Sequence, residues 1–463
     1  MKRFKLFYSE EGEDDRHQYH TYMEYRLRQL SSSLNIYISN QRLASFFLII
    51  CALIALIMSS VPALSASYQK ILSLSIGFHV ADLYVTEPLS FWVNNFLLTL
   101  FFFIVGLEIK KEFLVGHLVN KKVFLFVLIT AIGGMVTPAI IYLVFNSSTI
   151  GQSGWGIPMA TDTAFALGLV YCFKKYLPAG IFTFISALAI IDDILSTIIV
   201  AAFYTAHLKI NFLCLGFFFS GILIIFNLLG FRKPLPYLLF GCLIWLSFEH
   251  AGVHGSLAGI IIAFVVPARP GAGPVKSINK VRGLLNRFEQ WKKKNPLILK
   301  DENQQAILEK VEASAKQAST PLQRWSNKLS SFVSLFVLPV FAFVNIGIPI
   351  STQLATDVFT HFVPLGIVLG LIVGKPLGVI LFASIALWSE CGALPGGTKF
   401  QHIVIVSVLT GIGFTMSLFI ANNTGLNTQT LLMAKGAILF ASVISALLGC
   451  ILLYTYILTH HVR

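Results

Sequence analysis

The stretch Ala187-Leu188-Ala189-Ile190-Ile191-Asp192-Asp193-Ile194-Leu195-Ser196 places two adjacent carboxylates inside an apolar run that extends from Ile181 to about Phe203. Such a run is long enough to cross a bilayer, which takes about 20 residues of helix. A carboxylate at that depth costs about 2.5–3.5 kcal/mol on insertion scales, and a second one adds repulsion. Ionisable residues are kept there mainly for function, so the pair is predicted to be a functional site. The alternatives are a loop in place of the helix, or a structural hydrogen-bonded pair.

The composition is that of a polytopic membrane protein. Of the 463 residues, 56% are hydrophobic and 12% are charged, whereas charged residues make up about 25% of an average soluble domain. The six cysteines show no metal-ligand or paired spacing, and most lie in apolar runs. They are predicted to be reduced core residues without disulfides. No apolar stretch precedes Ala44, so no signal peptide is predicted.

Hydropathy predicts twelve membrane spans, several of them short or interrupted by Gly and Pro. The spans are 44–60, 91–109, 123–145, 156–173, 180–203, 210–230, 236–249, 254–267, 328–347, 362–388, 402–421 and 431–457. An even number places both termini on one side. Of the 34 Lys and Arg residues, only Lys70 and Lys209 fall in segments on the other side, while Lys375 and Lys435 fall within spans. The positive-inside rule therefore predicts cytoplasmic termini, and it attributes the net charge to membrane orientation and not to nucleic-acid binding.

The chain is predicted to divide into an extension, two groups of membrane helices, a long loop between them and a tail. These are 1–43 for the cytoplasmic extension, 44–267 for helices one to eight with an external β-hairpin in 61–90, 268–327 for a basic cytoplasmic loop, 328–457 for helices nine to twelve, and 458–463 for the cytoplasmic tail. The spacing of Ile307, Val311 and Ala315 predicts a helix in the loop. That helix lies either near anionic membrane lipid or within a solvated linker.

Two spans carry signs of an interrupted helix. Asp162 lies in the stretch GIPMATDTAF, where Pro158 lacks a backbone donor and Thr161 and Thr163 can bond freed backbone groups. The stretch TGIGFTMS at 410–417 is likewise weakened by glycine and rich in hydroxyls. Two interrupted helices in opposite halves of a membrane protein are typical of a transporter with internal repeats and a site near the midplane.

The ends of interrupted helices carry partial charges, positive at N-termini and negative at C-termini. Asp162 can neutralise the former and Lys375 the latter. Lys375 lies inside an apolar run from Leu365 to Leu387. It is therefore predicted to be buried and to face the acids, with snorkelling to the membrane surface as the alternative.

Seven motifs in this order resemble the NhaA family of bacterial sodium/proton antiporters, over about residues 40–455. The motifs are GLEIKKE (106–112), ATDTAFALG (160–168), ALAIIDD (187–193), GVH (252–254), LPVFAF (338–343), GKPLG (374–378) and GIGFTMS (411–417). The resemblance implies an all-α fold of twelve transmembrane helices in inverted repeats, with two unwound helices crossing at the site near Gly411, Gly413 and Thr415. It also implies electrogenic exchange of sodium for a larger number of entering protons, and lithium is expected as a second transported ion. A homodimer in the bacterial inner membrane, joined partly through the external hairpin, is implied as well.

Sodium prefers oxygen ligands, which the carboxylates of Asp192 and Asp193 and oxygens near Thr161 can supply. Burial and like charge oppose two ionised carboxylates, so the empty site is expected to hold at least one proton. Sodium and protons then compete for the same oxygens, and no cofactor is expected. By the family resemblance Asp193 is the more indispensable sodium ligand, and Asp162 is a charge compensator. The resemblance also implies that Lys375 pairs with Asp192 and releases it, contributing to proton coupling.

Three further ionisable residues resemble positions that the family associates with pH-dependent activation. Glu108, Glu112 and His254 are expected near a cytoplasmic funnel, where modest changes of environment alter their titration. For His254, a satisfied interface histidine is the alternative.

The chain departs from better-known members of the family in three places. Asn95 stands where they carry an acid, and Asn327 and Ser330 stand where they have a pair of histidines. The 268–327 loop is also longer than theirs. These differences bear on the pH profile and not on the transport site.

Other classes of protein also use buried acids. An intramembrane aspartyl protease needs its two aspartates on separate helices, often in a GxGD setting, whereas here they are adjacent and no such tetrapeptide occurs. An ion channel needs a continuous pore and rings of acids, usually from several subunits. The residues alone do not decide between a sodium antiporter and an antiporter for another monovalent cation, potassium.

Overall fold

The computed structural model of the chain describes residues 41–80, 83–116, 120–147, 150–205, 208–270, 273–292 and 302–461. The expected extension at 1–43 therefore lies outside the described residues up to residue 40. The last two residues of the expected tail also lie outside them.

The described chain is helical apart from one small sheet and the connections. The helices are α1 Gln41–Ser60, α2 Pro62–Leu72, α3 Leu89–Val115, α4 Lys121–Asn146, α5 Thr163–Cys172, α6 Ala179–Phe203, α7 Ile210–Leu228, α8 Pro234–His250, α9 Gly255–Val265, α10 Pro274–Lys292, α11 Glu302–Ala318, α12 Pro321–Ile346, α13 Thr352–Thr360, α14 Phe362–Trp388, α15 Phe400–Thr410, α16 Phe414–Asn423 and α17 Thr428–His461. The 3-10 helices are Ile150–Met159 and Lys174–Tyr176. The strands are β1 Ser75–Val80 and β2 Leu83–Pro88.

Eight of the described helices are long and apolar enough to cross a membrane, and nine if α15 and α16 form one span bent by 48°. This count agrees with the prediction of an all-α membrane protein. The twelve spans and their inverted repeats stay predictions, because α8 and α9 have only 17 and 11 residues. The predicted span at 156–173 is divided between the 3-10 helix Ile150–Met159 and α5.

The predicted hairpin region contains a helix as well as a hairpin. Strands β1 and β2 pair antiparallel, with Ser75 opposite Pro88. The preceding residues form α2, which starts at Pro62 because proline suits the first turn of a helix. In α2 the buried Tyr68 donates a hydrogen bond of 2.6 Å to the carbonyl oxygen of Phe343, so α2 is fixed to α12. The sheet therefore occupies only the second half of 61–90.

The long loop holds two helices that pack against each other. Helix α11 covers the positions whose spacing predicted a helix. Helix α10 was not predicted, and residues 293–301 between the two lie outside the described chain. Contact of this pair with lipid stays a prediction.

The prediction that the cysteines are core residues is wrong. Four of the six are exposed and two are partly exposed, and all six are unpaired. The four exposed residues are Cys172, Cys214, Cys242 and Cys391. In a membrane protein an apolar run has one face toward lipid, so apolar neighbours in sequence do not imply burial in protein.

The adjacent acids lie on the most enclosed of the apolar helices. In α6, 67% of the most apolar window is buried in protein, against 17% in α7. Helix α14, which carries Lys375, packs closely on α4, because Gly378 faces Gly133 across the contact. A Cβ atom at Gly378 would overlap the carbonyl oxygen of Gly133. The absence of a side chain therefore sets how near α14 approaches α4.

We expect Gly378→Ala to lower the free energy of unfolding by about 1–3 kcal/mol, the usual cost of overpacking. The matched control is Gly221→Ala in α7, where a Cβ atom meets nothing within 4 Å. That substitution should be neutral or stabilising by up to about 1 kcal/mol, because alanine favours helix. Thermal unfolding in detergent, followed by size exclusion, measures both. Equal melting temperatures for the two variants would contradict the close contact.

Candidate functional site

Two breaks in helices lie against each other and supply each other's hydrogen-bond partners. One break, at 160–162, separates the 3-10 helix Ile150–Met159 from α5, and the other, at 411–413, separates α15 from α16. The backbone N–H of Asp162 donates to the carbonyl oxygen of Ile412 at 2.7 Å. Thr161 Oγ1 lies 3.1 Å from the carbonyl oxygen of Thr410. Backbone groups that each break frees are thus satisfied away from water.

Glycine makes the close approach at the second break possible. A Cβ atom at Gly411 would lie 2.5 Å from the carbonyl oxygen of Leu371 and 2.6 Å from Ser445 Oγ. Leu371 lies in a π-helical turn, Gly370–Gly374, that ends immediately before Lys375. Pro376 has no backbone N–H to continue the regular ladder, which accounts for the π turn at this point.

The carboxylate of Asp162 bridges the N-termini of two helices. Its Oδ1 accepts a hydrogen bond of 3.0 Å from Phe165 N–H in the first turn of α5. Its Oδ2 accepts from the N–H of Thr415 at 3.1 Å and from the Thr415 hydroxyl at 2.6 Å in the first turn of α16. A negative charge is stabilised where two positive helix ends meet. The structure therefore places Asp162 where it can balance both.

Lys375 is completely buried and does not reach a membrane surface. Its Nζ lies 3.0 Å from Asp192 Oδ2 and also donates to the carbonyl oxygen of Met159, the last residue of the 3-10 helix. Its positive charge thus lies at a helix C-terminal end and at a carboxylate together.

Asp192 and Asp193 are each 1% exposed, and each has one satisfied oxygen and one unsatisfied oxygen. Besides the lysine, Asp192 Oδ2 accepts from the Thr161 hydroxyl at 2.9 Å. Asp193 Oδ2 accepts from the Thr163 hydroxyl at 3.2 Å. Among the described residues, Oδ1 of both carboxyl groups has no hydrogen-bond partner. Two buried oxygens are thus available to a proton or a cation.

The charges of the buried cluster do not balance by themselves. The carboxyl groups of Asp162, Asp192 and Asp193 face one ammonium group, that of Lys375, and all four residues are at most 1% exposed. Ionisation of all three acids would leave two negative charges uncompensated by the cluster's ammonium, and uncompensated charges in a protein interior are strongly unfavourable. The cluster therefore favours bound protons or a bound cation.

The structure does not bring the three pH-sensing candidates to this cluster, and it separates His254 from Glu108 and Glu112. Glu108 and Glu112 lie in the last two turns of α3. His254 lines a cavity together with Asn94, which lies near the first turn of α3. Fourteen residues of helix at about 1.5 Å each separate Asn94 from Glu108, about 21 Å. The expectation that all three lie near one funnel is wrong. Helix α9 runs parallel to α3, so its beginning, just after His254, lies beside the beginning of α3, whereas Glu108 and Glu112 lie at the other end of α3.

Some of the polar contacts at the site could not be predicted from the sequence. Thr163 was expected to bond backbone, but its hydroxyl donates to the Asp193 carboxylate. The Ser417 hydroxyl donates to the carbonyl oxygen of Ile157 at 2.8 Å and ties α16 to the 3-10 helix. The hydroxyl residues in the motifs indicated polar contacts at the site. Their partners lie 30 to 260 positions away in the chain and could not be predicted from the sequence.

A chain of asparagines adjoins the cavity and was also missed. Asn345 donates to Asn94 Oδ1 at 2.7 Å, and Asn422 donates to Asn345 Oδ1 at 2.6 Å. Lys435 Nζ donates to the carbonyl oxygen of Asn345 at 3.2 Å. Asparagines within apolar helices were the available signal. They connect α3, α12, α16 and α17.

Known proteins similar to this chain match along nearly all of it. A family model described as Na+/H+ antiporter 1 matches residues 35–453. The Na(+)/H(+) antiporter NhaA 2 of Psychromonas ingrahamii is 39% identical over 90% of this chain and 88% of that protein. The NhaA 1 of Saccharophagus degradans is 36% identical over 93% of each chain, and the NhaA of Helicobacter pylori strain J99 is 35% identical over 92% of this chain and 96% of its own. The matches include every helix of the buried cluster.

We expect Lys375→Met to lower the free energy of unfolding by about 3–5 kcal/mol, because it leaves Asp192 and the Met159 carbonyl without their buried partner. The double variant Lys375→Met/Asp192→Asn should recover part of that loss, since both charges of the pair are then gone. Lys209→Met, which removes an exposed lysine, is the control and should melt like the parent. Thermal unfolding measures all three, and a double variant no more stable than Lys375→Met would refute the pairing.

Proposed function

Because this chain belongs to the Na+/H+ antiporter family that includes NhaA, we propose that it exchanges sodium ions for protons across a bacterial membrane. The protein is a multi-pass bacterial membrane protein of a family of transporters, which sets aside the intramembrane protease. The observation that supports the proposal most directly is the buried group formed by Asp192, Asp193 and Lys375, with one unsatisfied oxygen on each acid.

In the proposed mechanism sodium binds to the carboxylates of Asp192 and Asp193. Sodium is a hard cation that prefers oxygen, and the two unsatisfied Oδ1 atoms are oxygen ligands held in a dry environment. The hydroxyls of Thr161 and Thr163 already contact these acids and can add oxygens. Asp162 keeps its role at the two helix ends and acts on the site through charge.

Proton coupling follows from the loss of partners when sodium enters. Sodium takes the place of a proton on Asp193 and of the ammonium group on Asp192. Lys375 then has no carboxylate partner, and a buried ammonium without one is strongly unfavourable, so it also gives up a proton. More than one proton leaves for each sodium that binds. The exchange is therefore electrogenic, with more protons entering than sodium ions leaving.

The two adjoining breaks provide the moving part in this proposal. They belong to two crossing helices in a fold of twelve helices with inverted repeats, and the carrier changes access only when the site is protonated or filled with sodium. An unfilled, unprotonated site leaves the adjacent carboxylates of Asp192 and Asp193 ionised, each with one buried oxygen unsatisfied, and this opposes the transition. Lithium, also a small hard cation, is proposed as a second substrate, and no cofactor takes part.

Orientation, assembly and regulation complete the proposal. Both termini are cytoplasmic, because the basic residues lie overwhelmingly on that side of the predicted spans. The protein lies in the inner membrane as a homodimer, to which the open edges of the β1–β2 hairpin contribute. Glu108, Glu112 and His254 are the candidates for pH-dependent activation.

We expect Asp193→Asn to abolish proton release driven by sodium, because it removes both the anionic sodium ligand and the exchangeable proton. Sodium-induced dequenching of acridine orange in everted membrane vesicles measures this release. Asp357→Asn in α13, which removes an acid paired with His361 outside the site, is the matched control and should keep the response. A normal response from Asp193→Asn would refute the assignment.

We expect sodium jumps on a solid-supported membrane to produce a current whose sign is opposite to the sodium movement. In the range where protons occupy the site, each decrease of one pH unit should raise the half-saturating sodium concentration about tenfold for every competing proton. Lithium jumps should produce the same current, and potassium jumps should not. A pH-independent half-saturating concentration would contradict competition at shared oxygens.

A further inference from the structure

A second polar site lies in a cavity of about 330 Å³ away from the buried cluster. Its walls come from the beginning of α3, the α8–α9 connection and the end of α16. The lining residues are Ser90, Phe91, Asn94, Asn95, Glu249, His254, Phe419, Asn422 and Asn423. Seven of these nine side chains are polar, and polar side chains between apolar membrane helices usually face a water-filled cavity or an ion pathway.

The cavity is connected to the buried cluster by a single helix. Helix α16 begins beside Asp162, which its Thr415 contacts, and ends at the cavity with Asn422. Seven residues at about 1.5 Å each place the cavity wall about 10 Å from Thr415 along the helix. Phe419, one turn after Thr415, lies between the two and packs against the rings of Phe102 and His254, with centroids 5.9 Å away in each case.

Glu249 is the only acid among the described residues of the lining, and one of its oxygens is unsatisfied. The carboxylate accepts a hydrogen bond from the backbone N–H of Gly255 at the start of α9. Its Oε2 is buried and has no hydrogen-bond partner among the described residues. The described part of the chain contributes no Lys or Arg to the lining. Asn95, at the position where better-known members of the family carry an acid, lines the same cavity, so Glu249 is the one formal negative charge that the described residues place there.

The charged and titratable neighbours leave the cavity attractive to a cation. His250 on α8 and Glu87 on β2 act on Glu249 only through space, and His254 is the second titratable side chain of the lining. Lys435 is bonded to the backbone of Asn345, outside the lining. The amide nitrogen of Asn422 donates to Asn345 Oδ1, so the amide oxygen of Asn422 is the atom that can accept a hydrogen bond or bind a cation. A carboxylate with nearby amide oxygens is a weak ligand set for a hard monovalent cation.

We propose that this cavity is an outer vestibule in which Glu249 holds the transported sodium ion on its way between Asp192/Asp193 and the external medium. The inference rests on the proposed antiport and on the proposed orientation, in which the first turn of α3 and the last turn of α16 face outward. A cleft with one sign of charge raises the local concentration of its counter-ion. Glu249 therefore acts on sodium at the outer face and has no part in the exchange at the buried acids.

The test compares sodium activation from the two faces of the membrane. Right-side-out vesicles present the outer face to added sodium and everted vesicles present the inner face, so the two half-saturating concentrations are measured separately by proton flux. In Glu249→Gln the ratio of the outer to the inner value should rise about tenfold, the low end of what a charged cleft contributes. Glu249→Asp should restore most of the parent ratio, because the charge is kept.

The matched control is Asp357→Asn, which removes an acid that is paired with His361 away from the cavity, and its ratio should equal that of the parent. A Glu249→Gln ratio equal to that of the parent, or an equal rise at both faces, overturns the vestibule. These results do not contradict the proposed antiport, because sodium-driven proton flux is still seen. If the parent protein shows no sodium-driven proton flux in either vesicle, the proposed function fails first. Folding is checked by melting temperature in detergent, and a Glu249→Gln protein with a parent-like melt but an unchanged ratio decides against the proposal.

Discussion

The ion pair between Lys375 and Asp192 is the interaction on which the rest of the structure depends. It lies in the interior with two further carboxyl groups, so the cluster cannot be fully ionised without a large penalty. Several features of the backbone serve to assemble it. A π turn precedes Lys375, glycine permits the contact at Gly411, and a 3-10 helix ends with its carbonyl toward the ammonium group. Helix ends thus offset part of the cost of burying this ion pair. Bound protons or a small cation compensate the excess negative charge of the cluster.

The two helix breaks show how irregular backbone is tolerated at membrane depth. A break normally frees backbone donors and acceptors that lipid cannot satisfy. Here the break at 160–162 and the break at 411–413 satisfy each other, and Asp162 bonds both of the helices that follow. The two segments are therefore coupled: a movement of one changes the partners of the other. That coupling suits a carrier in which the ion site and the access path must change together.

The polar features of the chain lie at three levels. The buried acids are at the centre, the Glu249 cavity lies about 10 Å further along α16, and Glu108 and Glu112 lie at the other end of α3. Lys110, beside them, donates to the carbonyl oxygens at the end of α9. In the proposed transport path an ion meets acids at separate depths, with apolar packing around Phe419 between two of them.

The sequence by itself determined that this is a helical membrane protein, and it predicted a site at Asp192, Asp193, Asp162 and Lys375, because a charge in an apolar run is costly. Proline, glycine and hydroxyl residues likewise indicated both breaks. Only the tertiary structure decided which oxygens are satisfied, that Thr163 bonds Asp193, that Glu249 shares a cavity with Asn95, and that His254 lies far from Glu108. Hydropathy also could not tell lipid-facing from protein-facing positions, as the exposed cysteines show. The physical reason is that hydropathy records the cost of leaving water, whereas partners are chosen by packing between segments far apart in the chain.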